Sequence, residues 1–222
     1  MKPLSAFDIV DLFRTISARM SEARSHLGEL DGAVGDADHG MSMADGFAAV
    51  VRASHDAAAG GTAAGDLFPV AAKSFLNTVG ATTGPLYASA FLRAGQRFAG
   101  QTSLPPAALA DLVAAMAEGI ADRGKAQPGD KTMMDAWAPA ARAARACRDG
   151  GGDALAVLLA ARDAAAEGRD ATRAMVASKG RAARLGARSL GHMDPGAASA
   201  VIILAALHEG LRGIALRGGG VA

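Results

Sequence analysis

Apolar residues recur at helical spacing along most of this chain, and that periodicity constrains the fold more than any other feature of the sequence. Residues 9–20 place apolar side chains three or four positions apart, with charged residues between them, which indicates a helix that buries one face. Residues 109–120 and 155–162 repeat the pattern. The alternation of apolar and polar residues that a half-buried strand needs does not persist anywhere. We therefore predict an all-α fold with about seven or eight helices.

The composition points the same way. Half of the residues are hydrophobic but only 4% are aromatic, and many of the hydrophobic ones are alanine, which favours helices and lets them pack closely. The chain has 222 residues and lacks a long Pro- or Ser-rich tract of the kind that joins domains. Length and composition therefore predict a single domain over residues 1–222.

Charge and hydropathy exclude several classes of function. The 23 basic residues balance 22 acidic ones, so we expect neither nucleic acid nor an anionic membrane as a partner. The longest apolar run, Val201 to Leu207, is far shorter than the roughly 20 residues that span a bilayer, and we predict a buried core helix there. Asp8 and Asp11 interrupt the first apolar stretch, which argues against a signal peptide and for a cytoplasmic location. The lone Cys147 is predicted to be a packing residue.

Four glycine-containing stretches differ from ordinary linkers, because each stands just ahead of a helical pattern. They are residues 35–40, 80–85, 124–132 and 191–196. The beginning of a helix offers unpaired N–H groups and the positive end of the helix dipole, so such stretches are natural phosphate sites. For any one of them taken alone, plain helix capping is the more common explanation. Four in one chain favour phosphate binding.

A cluster of carboxylates is the sharpest local feature. Asp31, Asp36 and Asp38 lie within one short stretch, where they repel one another unless solvent or a cation separates their charges. Mg²⁺ binds through a few carboxylates together with substrate phosphates, so we predict a magnesium site here, with solvated turn residues as the alternative. A calcium-binding EF-hand loop is excluded because Met41 and Phe47 occupy its glycine and glutamate positions.

Other metal and phosphate motifs are missing. His39 has no second His or Cys nearby, which disfavours zinc, and it serves either as a metal ligand or as a cap. Lys131-Thr132 resembles the end of a phosphate-binding P-loop, but Asp130 stands where that motif requires glycine. If this protein transfers phosphate, we expect an uncommon scaffold.

The motifs taken together resemble the nucleotide-binding L subunit of dihydroxyacetone kinases, from about residue 8 to residue 217. The resemblance is carried by GDADHG, GATTGPL, GKAQPGDKTMMDAW, SKGR and GHMDPGA, which occur here in that order. The family implies a closed all-α barrel of about eight antiparallel helices, with ADP or ATP and two Mg²⁺ ions held in loops at one end. Matched by position, the metal ligands are Asp31, Asp36 and Asp38. The implied nucleotide-binding residues are His39, Gly40, Met41, Ser42, Thr82, Thr83, Gly124, Met133, Arg181, Asp194, Pro195 and Gly196.

Two positions depart from the family pattern. Ala37 stands where the family usually has glycine, and Ser42 stands where it often has asparagine. We expect alanine to impose an ordinary backbone conformation at position 37, and serine to reach less far as a hydrogen-bonding group. Both changes are expected to alter nucleotide affinity rather than to remove the metal site.

The resemblance also implies how the chain works. It predicts transfer of the γ-phosphoryl group to a short ketose bound on a separate K subunit, so the general base belongs to that partner. A phosphohistidine protein that rephosphorylates bound ADP is the first candidate donor, and freely exchanging ATP, as in kinases of dihydroxyacetone or erythrulose, is the second. A homodimer, a self-contained phosphohydrolase and a non-catalytic, nucleotide-loaded regulatory module stay open as alternatives.

Overall fold

The computed structural model describes residues 1–218, which are helical almost throughout. Extended pairing within these residues is limited to one isolated bridge between Leu4 and Leu104. Short 3-10 turns lie at 64–66, 106–108, 172–174 and 182–189. The α-helices are α1 (Ala6–Glu22), α2 (Arg24–Gly32), α3 (His39–Ala59), α4 (Leu67–Thr78), α5 (Thr83–Phe98), α6 (Leu109–Gly124), α7 (Met134–Asp149), α8 (Ala154–Ala171) and α9 (Pro195–Gly218).

The helices begin and end where local chemistry dictates. Helix α1 starts at a capping box, in which the Ser5 hydroxyl accepts from the Asp8 amide while the Asp8 carboxylate accepts from the Ser5 amide, so both N–H groups are satisfied. Helix α8 is capped by Asp153, which accepts from the amide of Ala156 at 2.8 Å. Apolar residues at helical spacing then bury one face of each helix, as the sequence predicts.

Eight of the helices close into a ring. Each helix from α3 to α9 packs against the next one, and α1 packs against both α3 and α9, which completes the barrel. Helix α2 is the additional element and packs on α3 and α9. The prediction of an all-α barrel of about eight helices is therefore confirmed, with one short helix more than the periodicity suggested.

The barrel interior is filled by a few aromatic side chains among many small ones. Phe47, Phe75 and Phe91 pack edge to face or tilted, with ring centroids 5.4–6.2 Å apart, an arrangement that aromatic quadrupoles favour. Elsewhere the helices touch through glycine. A side chain at Gly119 would place its Cβ 2.4 Å from the Ser89 carbonyl oxygen. Alanine and glycine thus set the close helix spacing that the composition predicted.

Helix α9 contains the apolar run predicted for the core. Residues 195–217 are long and apolar enough to cross a membrane by length and composition, and an 18-residue stretch of them has a mean hydropathy of 1.5. More than half of that stretch is buried, however, and the helix packs against α1, α7 and α8. It is a core helix of this barrel, as the sequence predicts.

Neighbouring helices of the ring run antiparallel, and this alternation decides where the site forms. Helices α3, α5, α7 and α9 all begin at the same end of the barrel. A segment of irregular backbone and 3-10 turns, residues 172–194, joins α8 to α9 at that end; we call it the cap segment. Its Ala177, Ala182 and Leu185 pack on Val34, which precedes α3, as a small separate apolar cluster.

Candidate nucleotide and metal site

A cavity opens at the end of the barrel where these four helices begin. The space between its walls is about 980 Å³, part of which is open solvent. Its lining carries both signs of charge. The charged residues are Asp31, Asp36, Asp38, Asp194, Lys131, Lys179 and Arg181.

The first residues of α3 and α5 line the cavity, and both helices begin without a side-chain cap. Asp38 and Thr82 are the N-cap residues, and neither side chain caps its helix within the described part of the chain. The helices α7 and α9 differ, because Thr132 Oγ1 accepts from the Met134 amide and Asp194 accepts from the Ala197 amide. The dipoles of α3 and α5 and the Thr83 amide are therefore available to an anion, whereas the amides of His39 and Gly84 already have acceptors in Asp31 and Gly80.

The three predicted metal ligands do converge. One oxygen from each of Asp31, Asp36 and Asp38 lies within 4.8 Å of the others. The approach of Asp31 depends on Gly35, where a side chain would bring its Cβ to 2.4 Å from the Asp31 carboxylate oxygen. Clustered carboxylate oxygens are the donors that Mg²⁺ takes in proteins, so the residues present fit a hard divalent cation.

Ala37, between two of these aspartates, has φ +64°. Our expectation of an ordinary backbone conformation there was wrong. The loop of residues 33–38, which we call the metal loop, has the left-handed turn for which glycine is the usual residue, and the flanking Asp36 and Asp38 both line the cavity. Its shape therefore comes at the expense of backbone strain.

Arg181 lies against the same carboxylates. Its guanidinium forms an ion pair with Asp36 and lies 3.9 Å from Asp38. These groups are half exposed, so solvent screens the pairing. Arg181 belongs to the cap segment, and the ion pair brings that segment over the metal loop.

The His39 side chain lines the cavity and bonds to α9. Its ring is 6% exposed, and Nε2 lies 2.9 Å from Ser199 Oγ, whose proton is donated to the Gly196 carbonyl. Burial lowers the pKa of His39 to about 4, so the ring is neutral at pH 7. Its backbone amide points to Asp31 at 3.3 Å. The ring thus joins α3 to α9 while its amide orients a carboxylate.

Among the acids of the site, Asp194 has the most strongly shifted pKa. Burial, together with the nearby charges of Asp135 and Asp31, raises its pKa to about 7, although the hydrogen bond from the Ala197 amide and the Lys131 ammonium oppose the shift. A carboxyl group that titrates near neutrality is common at functional sites. Asp194 therefore acts as a helix cap and also carries a charge that responds to what binds beside it.

Most of the predicted nucleotide-binding residues line this one cavity, and three do not. Gly40, Met41 and Ser42 lie in the first turn of α3 but outside the lining. Gly40 instead permits close contact with α2, since its Cβ would lie 2.0 Å from the Arg24 carbonyl oxygen. The predicted residues that line the cavity are His39, Thr82, Thr83, Gly124, Met133, Arg181, Asp194, Pro195 and Gly196.

The comparisons with known proteins agree with this geometry. The model of the DAK2 domain family matches residues 33–209. The chain belongs to the DAK2 domain family. This DAK2 chain is 36% identical to the "PEP-dependent dihydroxyacetone kinase, ADP-binding subunit DhaL" of Escherichia coli, over 90% of this chain and 95% of that one. It is 34% identical to the corresponding PTS-dependent subunit of Lactococcus lactis, over 86% and 90% of the two chains.

Larger kinases contain a similar domain. The DAK2 chain is 33% identical to the L-erythrulose 1-kinase of Mycolicibacterium smegmatis, over 93% of this chain and 36% of that enzyme. The crystal structure of the dihydroxyacetone kinase from C. freundii in complex with AMP-PNP and Mg²⁺ superposes with a TM-score of 0.69 and 25% identity, covering 94% of this chain and 35% of that one. The DAK2 chain thus spans about a third of the length of each of these two enzymes.

Several lining residues of this DAK2 chain carried no signal of a site in the sequence. Leu86 and Ile120 look like ordinary core positions of α5 and α6, and only the packing turns them toward the cavity. Lys131 lies in the predicted stretch 124–132 and in an incomplete P-loop, but its residue type alone does not show that it is buried in the cavity wall. The positive φ of Lys125 and Lys131, +52° and +61°, is equally invisible in their residue types. The other lining residues that the sequence did not single out individually, although most of them lie in the predicted motifs, are Val34, Ala81, Ala126, Thr132, Met134, Lys179, Gly180 and Ala182.

Proposed function

We propose that residues 1–222 act as one nucleotide-binding domain, the ADP-binding subunit of a cytoplasmic dihydroxyacetone kinase. The observation that carries the proposal is that three carboxylates and the beginnings of α3 and α5, which lack side-chain caps, lie in one cavity. That arrangement suits a phosphate chain bridged to a cation. The names of the relatives, at 34–36% identity over most of the chain, support the same ligand.

Each part of the cavity has a role in this proposal. Asp31, Asp36 and Asp38 hold Mg²⁺, two ions by analogy with the family. When bound, Mg²⁺ supplies neutralisation of the charge on the phosphate oxygens. The hydroxyls of Thr82 and Thr83 and the Thr83 amide donate to those oxygens, which favours the phosphate chain over water in the cavity.

The other side of the cavity suits the nucleotide base. Leu86, Ile120, Ala126 and Met133 present apolar surface there, and Gly124 leaves room beside Leu86, whose Cδ2 would lie 2.9 Å from a Cβ at that position. Apolar walls with few polar groups bind a flat aromatic ring well. We assign the base to this side and the phosphates to the side of the aspartates.

Arg181 supplies mobile positive charge at the phosphate side. Its guanidinium can leave the exposed carboxylates of Asp36 and Asp38 at little cost, because a surface ion pair contributes about 0–1 kcal/mol. It can then donate two parallel hydrogen bonds to two oxygens of one phosphate group. The cap segment would follow it and exclude water from the reacting groups.

The acceptor ketose belongs, in this proposal, to a separate K subunit. Half-exposed apolar side chains lie near the cavity, namely Met41 on α3 and Val176 and Leu190 on the cap segment, and such residues suit a protein partner. Two relatives are named as ADP-binding subunits of PEP-dependent dihydroxyacetone kinases. We therefore propose that a phosphohistidine protein regenerates the bound nucleotide, and keep freely exchanging ATP, with dihydroxyacetone or erythrulose as acceptor, as the alternative.

The first test is mass spectrometry of the nucleotide released by denaturing the purified chain, with and without prior EDTA treatment. Stoichiometric ADP that is lost only after EDTA supports a subunit that keeps its cofactor. A nucleotide-free chain that binds MgATP supports the freely exchanging form. Failure to bind either nucleotide with Mg²⁺ would overturn the proposal.

Substitution of the carboxylates tests the same site from the protein side. Asp36→Asn with Asp38→Asn is expected to weaken MgADP binding by about tenfold or more, since each lost charge-assisted contact is worth about 1.5–3 kcal/mol. Asp45→Asn, on the exposed face of α3, is the matched control and should leave affinity unchanged. Steady phosphate release from ATP by the chain alone would favour a phosphohydrolase, and tight nucleotide binding without transfer to any K subunit would favour a regulatory module.

A further inference from the structure

Lys131 is the one fully buried lysine in the described part of the chain, and it lies in the wall of the cavity. Its side chain is 1% exposed, and it belongs to the loop between α6 and α7. A lysine followed by threonine beside a phosphate site suggests a phosphate ligand at first sight, because the lysine of a P-loop contacts phosphate oxygens in that way. The contacts of this lysine point to a different role.

The Lys131 ammonium makes three hydrogen bonds, all to backbone carbonyl oxygens. It donates to Thr172 at 2.7 Å, to Met175 at 3.1 Å and to His192 at 2.6 Å. An ammonium has three N–H donors, so these carbonyls use all of them. A phosphate oxygen could gain a bond to Lys131 only if one of the carbonyls lost it.

All three carbonyls belong to the cap segment, two near its beginning and one near its end. They come from parts of the chain about twenty residues apart, which Lys131 holds at one point together with the bond from the Gly191 amide to the Arg173 carbonyl at 2.8 Å. Burial lowers the pKa of this ammonium, but the carboxylates of Asp194 and Asp135 attract it. These charges therefore favour its position. The lysine therefore holds the two ends of the cap segment together. Arg181 extends from the middle of that segment over the metal loop.

A second set of contacts joins the same two stretches. The Ser178 amide donates to the Asp130 carbonyl at 3.2 Å, and the Ser178 hydroxyl donates to the Asp130 carboxylate at 2.5 Å. The Thr172 hydroxyl oxygen, at the beginning of the cap segment, accepts from the Asp194 amide at 3.0 Å. The loop before α7, the cap segment and the beginning of α9 thus form one connected unit.

We propose that Lys131 is a positioning residue, which fixes the cap segment to the beginning of α7 and so holds Arg181 and Asp194 over the cavity without contacting phosphate itself. The proposal rests on the proposed nucleotide site for its affinity measurements. It does not rest on that site for the order of the cap segment, which is a property of the nucleotide-free chain. The two can therefore fail separately.

The test compares Lys131→Met, which keeps the aliphatic stem and removes the ammonium, with Lys125→Met. Lys125 lies in the same loop, also has positive φ and is exposed, so it controls for the loss of one positive charge. Hydrogen exchange is measured on backbone amides of the cap segment and, for reference, of α4, in the nucleotide-free full chain. Binding of MgADP and MgATP is measured on the same three proteins.

We expect Lys131→Met to speed exchange in the cap segment by about tenfold or more, because a buried hydrogen bond to a charged group is worth at least that factor. Exchange in α4 should not change. Affinity should fall by a similar factor for MgADP and MgATP, because a displaced cap segment weakens the binding of both nucleotides alike. Lys125→Met should match the wild type in all of these measurements.

The opposite pattern would overturn the proposal. Unchanged exchange in the cap segment, with a loss of affinity that is at least several-fold larger for MgATP than for MgADP, would make Lys131 a phosphate ligand. If Lys131→Met does not fold, the pair Lys131→Gln and Lys125→Gln decides, because glutamine retains two N–H donors and should give an intermediate exchange rate. If the wild type binds neither nucleotide, the proposed function fails while the exchange comparison still tests Lys131.

Discussion

At the scale of single residues, the backbone of the metal loop stores strain at Ala37. The left-handed conformation at φ +64° costs an L-residue about 1–2 kcal/mol, and it persists because the aspartates on either side are held by other contacts. Strain of this kind concentrates at functional sites. Each of the four non-glycine residues with positive φ in the described chain, Ala37, Ala81, Lys125 and Lys131, lies in a loop at the cavity end.

Replacing Ala37 by glycine should therefore stabilise the protein. Relief of the strain outweighs the larger conformational entropy of glycine in the unfolded chain, and the expected gain is about 0.5–1 kcal/mol in the free energy of unfolding. Urea denaturation measures it. Ala33→Gly, at an exposed position with φ −72°, should instead lose about 0.5–1 kcal/mol. Equal losses in both variants would show that position 37 carries no strain.

Asp194 makes stability depend on pH. Because its pKa is raised to about 7 in the folded protein, the folded chain binds more protons than the unfolded chain between about pH 4 and pH 7. This contribution to stability is therefore present at low pH and is lost as pH rises through 7. We expect Asp194→Asn, in EDTA and without nucleotide, to lose less stability than the wild type between pH 5 and pH 8.

The asparagine oxygen can still accept from the Ala197 amide, so the cap of α9 is preserved in that variant. Urea titrations at several pH values, on both proteins, give the comparison. Parallel curves for the two proteins would mean that Asp194 titrates in its ordinary range.

At the scale of elements, the site depends on how α3 is placed against α2. Gly40 is the contact point, because it allows the α3 backbone to approach the carbonyl of Arg24 and the amide of Gly28. The loop between these two helices carries Asp36 and Asp38, while Asp31 lies in the last turn of α2. A change in the distance between the helices therefore changes the distances among the carboxylates.

Gly40→Ala should consequently damage both stability and binding. A Cβ placed 2.0 Å from the Arg24 carbonyl oxygen forces the helices apart, and overpacking of this kind costs about 1–3 kcal/mol. MgADP affinity should fall as well. Gly60→Ala is the control, because its Cβ meets atoms no closer than 3.4 Å, and its stability should stay within about 1 kcal/mol of the wild type. An equal response of the two variants would contradict the packing role of Gly40.

At the scale of the whole molecule, the ring of helices brings four helix beginnings and the four segments that precede them to one end. A ligand that bridges them should stabilise the fold as a unit. At a MgADP concentration of 100 times the dissociation constant, the gain is about 2.7 kcal/mol, which for a chain of this size raises Tm by roughly 5–11 °C. Differential scanning calorimetry checks it.

The metal dependence of that shift separates the proposed site from adventitious binding. ADP with EDTA, or MgADP with the Asp36→Asn and Asp38→Asn variant, should shift Tm by much less. An equal shift without Mg²⁺ would place the nucleotide elsewhere on the protein.

The sequence by itself determined the helical class, the core helices and the motifs that meet in the cavity. Helical periodicity is a local property, and the apolar stretches predicted in α1, α6 and α9 lie in those helices. The acidic loop was equally visible, since three aspartates close in sequence cannot separate far.

Only the tertiary structure decided which neighbours those residues have. It turned Leu86 and Ile120 toward the cavity and placed Gly40 in the contact between α2 and α3. It kept Ala37 in a left-handed turn that its residue type disfavours. It also brought three carbonyls of the cap segment to Lys131, which lies some forty to sixty positions away in the chain. Such contacts depend on the close packing of distant segments, and the residue types along the chain do not encode them one by one.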